Sequence, residues 1–166
     1  MDFESLMEAI RERRSVRRYK KESVSMEKLM LLVEAARWAP SAGNSQPWEF
    51  LLINDEDVVG TLGTVSPGWL FEAPALILMC INKKRETDWS YFDAGAAMEN
   101  MLLLAQSLGL GCCPIGSFLV QTIMELLELP EHLKPVLLIT VGYPDEQPPA
   151  TTRLSLEELV FKRVGK

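Results

Sequence analysis

Apolar residues along the chain occur either in short continuous runs or at helical spacing. The first pattern predicts strands and the second predicts helices. Short apolar runs bounded by proline, asparagine or glycine predict buried strands. These runs lie at residues 48–53, 75–81 and 136–141, and residues 109–113 lead into a further short strand. Apolar residues at helical spacing predict helices at residues 3–11, 26–39, 91–108 and 122–129.

The order of these elements favours one fold class. Helices and strands are interleaved, but they do not follow a strict strand–helix repeat, so a doubly wound parallel sheet is not the first choice. We therefore expect an α+β domain with a mainly antiparallel central sheet flanked by helices. The length of 166 residues fits a single domain, residues 1–166.

Two segments indicate a homodimer. The predicted helix at residues 91–108 has apolar side chains over most of its circumference, which is more than one small domain is expected to cover. Residues 143–153 are rich in proline and polar side chains, and we do not expect them to fold on their own chain. A second subunit would cover both segments. We therefore expect residues 143–166 to pack on the partner in an intertwined homodimer.

The net charge of −6 hides a concentrated basic segment. Residues 11–21 hold seven bases and one acid, so they carry +6 and the rest of the chain carries −12. The guanidinium groups and the hydroxyl within residues 13–18 could hold a phosphate, or the segment could be a solvated turn. A general nucleic-acid binder would usually be basic over a whole face, so we expect no nucleic-acid partner.

Two loops are further candidates for ligand binding. Residues 40–48 read PSAGNSQPW, where small residues permit close approach of the backbone to a flat ligand and the amides of Asn44 and Gln46 can donate and accept. Residues 109–117 read GLGCCPIGS, which is not a dinucleotide fingerprint because Pro114 stands where a glycine is needed. Either loop could instead be a structural connection.

Several functional classes lack their motifs. With one histidine, His132, and no C-x-x-C pair, we expect no metal site, and we expect His132 at the surface. Hydrolase G-x-S-x-G and P-loop motifs do not occur. Cys112 or Cys113 could pair with His132 as a nucleophile, but each is better interpreted as a buried apolar residue.

The cysteine count and the apolar runs bear on the compartment. Three cysteines, two of them adjacent, make a poor disulfide framework. The first ten residues carry acids where a signal peptide would carry bases, and no apolar run approaches about 18 residues. We therefore expect a cytoplasmic protein without a membrane span.

Five segments, taken in order, resemble the nitroreductase family of FMN enzymes. They are RRSVR at 13–17, PSAGNSQPW at 40–48, DAGAAMEN at 93–100, GLG with PIG at 109–116, and PPATTR at 148–153. Because they recur in the family's order over nearly the whole chain, the resemblance implies a nitroreductase-like fold, a homodimer and an FMN site.

The resemblance also implies a role for individual residues at the phosphate end of FMN. Arg13, Ser15 and Arg153 would hold the phosphate and the ribityl chain, with Arg14 in the same cluster. Arg17 would reach the pyrimidine end of the ring.

At the ring, the resemblance implies contacts from both subunits. The loop with Ser41, Ala42 and Asn44 would come from the other subunit, while Gly116 would offer its backbone N–H to flavin N5 with Pro114 and Ile115 covering the ring. The full set of expected cofactor-binding residues is Arg13, Arg14, Ser15, Arg17, Pro40, Ser41, Ala42, Asn44, Gln46, Pro114, Ile115, Gly116, Ser117 and Arg153.

The implied chemistry is that of a flavin oxidoreductase. NAD(P)H would pass a hydride to N5 and leave, and a nitro compound, a quinone or a similar acceptor would then take electrons at the same face, in a ping-pong cycle. A cation near the pyrimidine, for which Arg17 is the candidate, would favour the reduced ring. No side chain is required as an acid or base, so no catalytic residue is assigned.

The chain departs from the family pattern in two places. Only residues 82–90 join the second core strand to the long helix, where larger members insert a helical excursion, so we expect a more open substrate side. Residues 66–69, SPGW, stand where some members carry a lysine. Three alternatives stay open: another FMN reaction, such as dehalogenation or oxidative flavin breakdown; a flavin-binding or sensor protein with little turnover; and a nucleic-acid binder that uses residues 11–21.

Overall fold

The computed structural model describes residues 2–66 and 73–165, and these form a four-stranded sheet with helices on both faces. The strands are β1 (Trp48–Ile53), β2 (Ala75–Asn82), β3 (Gly111–Ile115) and β4 (Leu133–Gly142). Their order in space is β1-β2-β4-β3, and every neighbouring pair is antiparallel. The predicted α+β class with a mainly antiparallel sheet is confirmed.

The sheet divides the interior into two cores. Successive side chains of a strand point to opposite faces, and β2 is buried along its whole length. Its alternate residues from Ala75 pack with α2 (Met26–Arg37) and α4 (Ser90–Ser107). Its alternate residues from Leu76 pack with α3 (Glu56–Gly63) and α5 (Val120–Leu126).

The predicted helices are present, with small shifts at their ends. Helix α1 spans Phe3–Glu12, and α2 starts after Ser25, whose side chain accepts a hydrogen bond from Lys28 N. Helix α2 ends two residues before the predicted boundary, and α5 begins two residues early and ends three early. No helix in the described part of the chain is long and apolar enough to cross a bilayer.

Two helices were not predicted. Helix α3 is short and contains two glycines, which lower its intrinsic stability. Asp55 caps its start by accepting from Asp57 N and Val58 N at 3.0 and 3.1 Å, and burial of residues such as Leu62 supplies the stability that the local sequence lacks. The other is α6 (Leu156–Leu159), a single turn in the C-terminal segment.

Strand β4 begins earlier than predicted and contains Pro135 rather than following it. Pro135 lies opposite Cys80, where the register between β2 and β4 shifts. A proline cannot donate to the hydrogen-bond ladder, so such an irregularity is a position where a sheet tolerates it.

The chain directly after β4 contacts its own subunit. Lys20 N donates to Tyr143 O at 2.8 Å, Tyr19 forms an isolated bridge with Pro144, and Asp145 N donates to Arg18 O at 3.0 Å. The expectation that residues 143–153 do not fold on their own chain is therefore wrong for residues 143–146. Residues 149–165, by contrast, are all exposed.

Tyr19 holds the basic segment against strand β4. The ring is 7% exposed, its hydroxyl donates to Val16 O at 2.5 Å, and it shares a hydrogen bond of 2.6 Å with Thr140 Oγ1. Cys113 N also donates to Thr140 Oγ1, at 3.1 Å. Burial raises the pKa of the Tyr19 phenol far above its usual range, so the hydroxyl keeps its proton.

Candidate functional site

The basic segment after α1 runs alongside β3, on the outer edge of the sheet. Ser15 forms a parallel bridge with Cys112, and Val16 N donates to Cys112 O at 2.9 Å. The approach is possible because residue 111 is glycine: a Cβ there would lie 2.7 Å from Val16 Cβ. This contact fixes the backbone position from which the arginine side chains of the segment extend.

Arg13 and Arg14 line a cleft of about 360 Å³, which is bordered by residues 109–112 and by the chain after β4. Arg13 Nε lies 3.2 Å from Glu99 Oε1 on α4, and no terminal nitrogen of Arg13 donates a hydrogen bond to a described residue. Arg14 Nη1 instead donates to Arg11 O and Arg13 O at 2.5 and 2.9 Å, at the end of α1. With respect to the described residues, Arg13 thus keeps both terminal nitrogens available to an anion, and Arg14 keeps its Nε and Nη2.

A carboxylate anchors the next residues of the basic segment. Glu146 Oε1 accepts from Arg17 N at 2.6 Å and from Arg18 N at 3.2 Å. Burial raises the pKa of the Cys113 thiol, while the charge of Arg17 and hydrogen bonds from Ser15 and Arg17 act against that rise. The side chains of Ser15 and Arg17 thus lie beside β3, as Arg13 does.

The end of β3 presents backbone groups on the same open side. Cys112 O points away from β4, because it accepts from Val16 N. These directions alternate along a strand, so Pro114, which has no N–H, also faces outward, and Gly116 is an exposed residue directly after the strand. No described residue accepts a hydrogen bond from Gly116 N.

The side chains around Gly116 differ in what they offer to a ligand. Pro114 is half-buried and Ser117 is exposed. Ile115 is only 2% exposed and packs in the core under α5, so its side chain does not cover a ligand outside the sheet. By the alternation along β3, the backbone N–H and C=O of Ile115 face β4, so they do not point to the open side either.

The loop at residues 40–46 is fixed to the start of α4. Ala42 N donates to both carboxylate oxygens of Asp93, at 3.2 and 3.3 Å, and Gln46 N donates to Ser41 Oγ at 3.0 Å. Gly43, Asn44 and Gln46 have positive φ values of 57°, 56° and 45°, so the loop turns sharply. Asn44 is exposed, and Pro40, Ser41 and Ala42 line a cavity with the first turn of α4.

The structure gathers the predicted residues into two groups rather than one. The loop at residues 40–46 leads into β1, which is one edge of the sheet, and the basic segment flanks β3, which is the other edge. Two strands lie between these edges, so at roughly 4.8 Å per strand β1 and β3 are about 14 Å apart. A single chain therefore keeps the two halves of the predicted site separate.

Arg153 joins neither group. It is exposed, and its Nη1 contacts only its own neighbourhood among the described residues, donating to Thr151 O at 3.2 Å, to Thr151 Oγ1 and to Thr152 O at 3.3 Å. Its predicted contact with the phosphate remains a prediction.

Three residues shape the cleft without having been predicted. Glu99 pairs with Arg13, Glu146 holds the basic segment, and Gln106 lines the cleft with a buried Oε1 that has no hydrogen-bond partner among the described residues. Glu99 falls within residues 93–100, which carried the family resemblance. A single amide or carboxylate elsewhere forms no pattern that sequence reasoning could detect.

Other expectations can be compared with the structure. The three cysteines are buried free thiols, as predicted, and burial raises the pKa of both Cys80 and Cys112 to about 12. His132 is half-buried rather than at the surface, in the turn where Lys83 N donates to its carbonyl. Among residues 2–66 and 73–165, no group of three or more His, Cys, Asp or Glu side chains could hold a metal ion. Residues 67–69 of the SPGW segment lie outside the described residues.

Comparisons with known proteins identify the relatives of this chain. The model of the nitroreductase family matches residues 10–64 and 60–143. A protein of Methanothermobacter thermautotrophicus named as an NADH dehydrogenase/NAD(P)H nitroreductase is 33% identical over 86% of this chain and 79% of its own length. A Thermotoga neapolitana protein named iodotyrosine deiodinase is 28% identical, covering 89% of this chain and 93% of its own. The crystal structure of a Desulfovibrio desulfuricans nitroreductase in complex with FMN is 32% identical, with a TM-score of 0.85, and covers 97% of this chain and 98% of that one.

The contact between Gly111 and Val16 can be tested by mutation. We expect Gly111→Ala to lower the free energy of unfolding by about 1–3 kcal/mol, because the new methyl group would overlap the stiff Val16 side chain. Gly116→Ala is the matched control, since its Cβ would meet nothing closer than 3.9 Å, and its effect should stay within about 0.5 kcal/mol. Urea denaturation measures both, and equal midpoints for the two variants would contradict the assignment.

Proposed function

Because this chain belongs to the nitroreductase family, we propose that it is an NAD(P)H-dependent oxidoreductase with FMN as its cofactor. The proposed acceptor is a nitro compound, a quinone or a similar small molecule. The single observation that carries the proposal is the open side of β3, where the cleft with Arg13 borders the strand and the exposed Gly116 follows its end.

The residues present fit the phosphate and ribityl parts of FMN. No described residue accepts a hydrogen bond from a terminal nitrogen of Arg13, which suits a phosphate. Gln106 Oε1 is a buried acceptor in the same cleft without a partner among the described residues. Such an acceptor needs a donor, and the hydroxyl groups of a ribityl chain are donors. The unpartnered Gln106 Oε1 supports a ligand with hydroxyl groups, and the terminal nitrogens of Arg13 support a ligand with an anionic group.

The residues at the other end of β3 fit the flavin ring. When bound, FMN supplies the redox chemistry, taking a hydride from NAD(P)H and passing electrons to the acceptor. The chain's own part would be to bind and orient: the N–H of Gly116, which no described residue accepts, would donate to the ring, and Arg17 would hold a positive charge beside Cys113. No acid or base side chain is assigned a role in the reaction.

A homodimer would complete the site. The loop at residues 40–46 and the basic segment lie at opposite edges of one sheet, so a ring that contacts both needs the loop from a second chain. Large apolar side chains are exposed on α1, α2 and the C-terminal segment, where a partner would cover them. They include Phe3, Leu6, Ile10, Met30, Leu31, Leu156, Leu159 and Phe161.

Reductive dehalogenation is the second candidate function. It is favoured by the similarity to the protein named iodotyrosine deiodinase. The short connection at residues 82–90 is compatible with it, since it leaves the first turn of α4 exposed to a bulky aromatic substrate. Halide release from a halogenated phenol, measured against reduction of a nitroarene, separates the two reactions.

The purified protein should be yellow, with close to one FMN per chain, and should oxidise NAD(P)H steadily once a quinone or nitroarene is added. Initial rates over both substrates should give the parallel double-reciprocal lines of a ping-pong cycle. A protein that stays colourless after addition of FMN would contradict the proposal. A yellow protein without steady NAD(P)H consumption would indicate a flavin-binding or sensor protein instead.

Arg13 is predicted to anchor the cofactor phosphate. We expect Arg13→Ala to weaken FMN binding about 10- to 150-fold, the loss of one charge-assisted contact of roughly 1.5–3 kcal/mol. Arg18→Ala is the matched control, because it removes the same charge from the same segment and Arg18 does not line the cleft. Quenching of FMN fluorescence during titration gives both dissociation constants. The assignment fails if Arg13→Ala and the parent bind FMN equally.

The C-terminal segment is predicted to stabilise the dimer. Deletion of residues 149–166 keeps Glu146 and its hydrogen bonds, so the basic segment should stay in place. We expect this truncation to weaken the dimer and FMN binding together, since Arg153 and the exposed apolar residues are removed. Light scattering and flavin content across a dilution series measure both quantities. A monomer that retains its full complement of FMN would show that one chain builds the whole site.

A further inference from the structure

The connection between β2 and α4 is held rigidly despite lying at the surface. Arg85 Nη2 lies 2.8 Å from Glu49 Oε1 on β1, and Lys134 Nζ lies 3.1 Å from Glu86 Oε1. Thr87 N donates to Ser90 Oγ at 2.8 Å, and Trp89 N donates to Thr87 Oγ1 at 3.2 Å. The backbone that leads into α4 is therefore held by ion pairs to β1 and β4 and by two hydrogen bonds within the connection.

This rigid entry presents two aromatic rings to the outside. Trp89 is 59% exposed and Phe92 is 71% exposed. Their ring centroids are 5.5 Å apart with planes tilted by 47°, so they form one continuous aromatic surface. Exposed apolar surface on a well-fixed segment is costly unless something covers it, and such a patch commonly marks a binding site.

The two rings border the loop that is proposed to approach the flavin. Trp89 and Phe92 line a cavity of about 320 Å³ together with Pro40, Ser41 and Ala42. Asp93 lies at its base and accepts the hydrogen bonds of Ala42 N at 3.2 and 3.3 Å. The loop and the aromatic pair are thus one rigid unit, and wherever the loop is placed over a flavin, the rings are placed beside it.

We propose that Trp89 and Phe92 form the stacking subsite for the flat aromatic ring of the electron acceptor. The inference rests on the proposed function and names its substrate class as neutral, electron-poor aromatic compounds such as nitroarenes and quinones. Electron-rich indole and phenyl faces stack well on rings of this kind. Among the described residues, the cavity is lined by one carboxylate, Asp93, and no cation, which disfavours an anionic aromatic acid.

The subunit that supplies the loop at residues 40–46 determines which flavin Trp89 and Phe92 lie beside. With the loop at residues 40–46 supplied across the dimer, Trp89 of one subunit faces the flavin of its partner. The aromatic pair then occupies the space that the short connection at residues 82–90 would otherwise leave open to water. The two rings determine specificity; they take no part in the redox step.

Titration of the oxidised FMN protein with 4-nitrobenzyl alcohol, without NAD(P)H, tests the subsite. The shift of the flavin absorption band gives a dissociation constant without turnover. We expect Trp89→Ala and Phe92→Ala each to raise that constant about 3- to 10-fold, the usual range for loss of one aromatic contact. Tyr91→Ala is the matched control: Tyr91 is 57% exposed on the same turn, but its ring lies 5.0 Å from Lys134 Nζ, outside the cavity, so the constant should not change.

A second electron acceptor distinguishes loss of the stacking contact from general damage to the enzyme. Hexacyanoferrate(III) is compact and has no ring, so its rate of reduction should be the same in Tyr91→Ala and the parent and should not fall in Trp89→Ala. Equal dissociation constants for 4-nitrobenzyl alcohol in Trp89→Ala and the parent would overturn the inference. Loss of the dimer in Trp89→Ala would also overturn it, because the rings would then be a subunit contact.

The proposed function and this inference fail in different ways. If the parent protein shows no flavin band after addition of FMN, both are rejected. If the parent binds FMN and reduces hexacyanoferrate(III) but neither aromatic variant changes the nitroarene constant, only the inference is rejected.

Discussion

The short parallel contact between residues 15–16 and Cys112 is the interaction on which the rest of the site depends. Seven bases within eleven residues repel one another, so their position must come from backbone and carboxylate contacts. Val16 supplies the hydrogen bond to β3, Tyr19 ties the segment to Thr140, and Glu146 accepts the next two backbone N–H groups. Because every one of these contacts is to β3, β4 or the chain after β4, the guanidinium groups are placed by the sheet.

The elements that the sequence predicted well are those whose signal is local. The bounds of β1 match the prediction because Pro47 and Asn54 flank a run of apolar residues, and α2 starts where Ser25 caps it. Helix α3 was missed because its stability comes from burial of Val59 and Leu62 rather than from propensity. The hold of Glu146 on Arg17 joins residues 129 positions apart, and no local pattern can show such a contact.

In the candidate site, too, local features were predictable from the sequence and long-range contacts were not. Its residue types were predictable, since arginine, glycine and small polar residues in these segments each suit a part of a flavin. Their arrangement was not, because the strand order that separates β1 from β3 is a property of long-range pairing. The same pairing buries the side chain of Ile115 in the core, whereas Gly116, which follows the strand, is exposed.

The placement of the two half-sites at opposite sheet edges has a genetic consequence. In a homodimer that shares its sites across the interface, each subunit lends its basic segment to one site and its loop to the other. A subunit damaged in the basic segment and a subunit damaged in the loop would therefore form a mixed dimer with one wholly intact site and one doubly damaged site. Two inactive alleles could then complement each other when expressed together, whereas two alleles damaged in the same half could not.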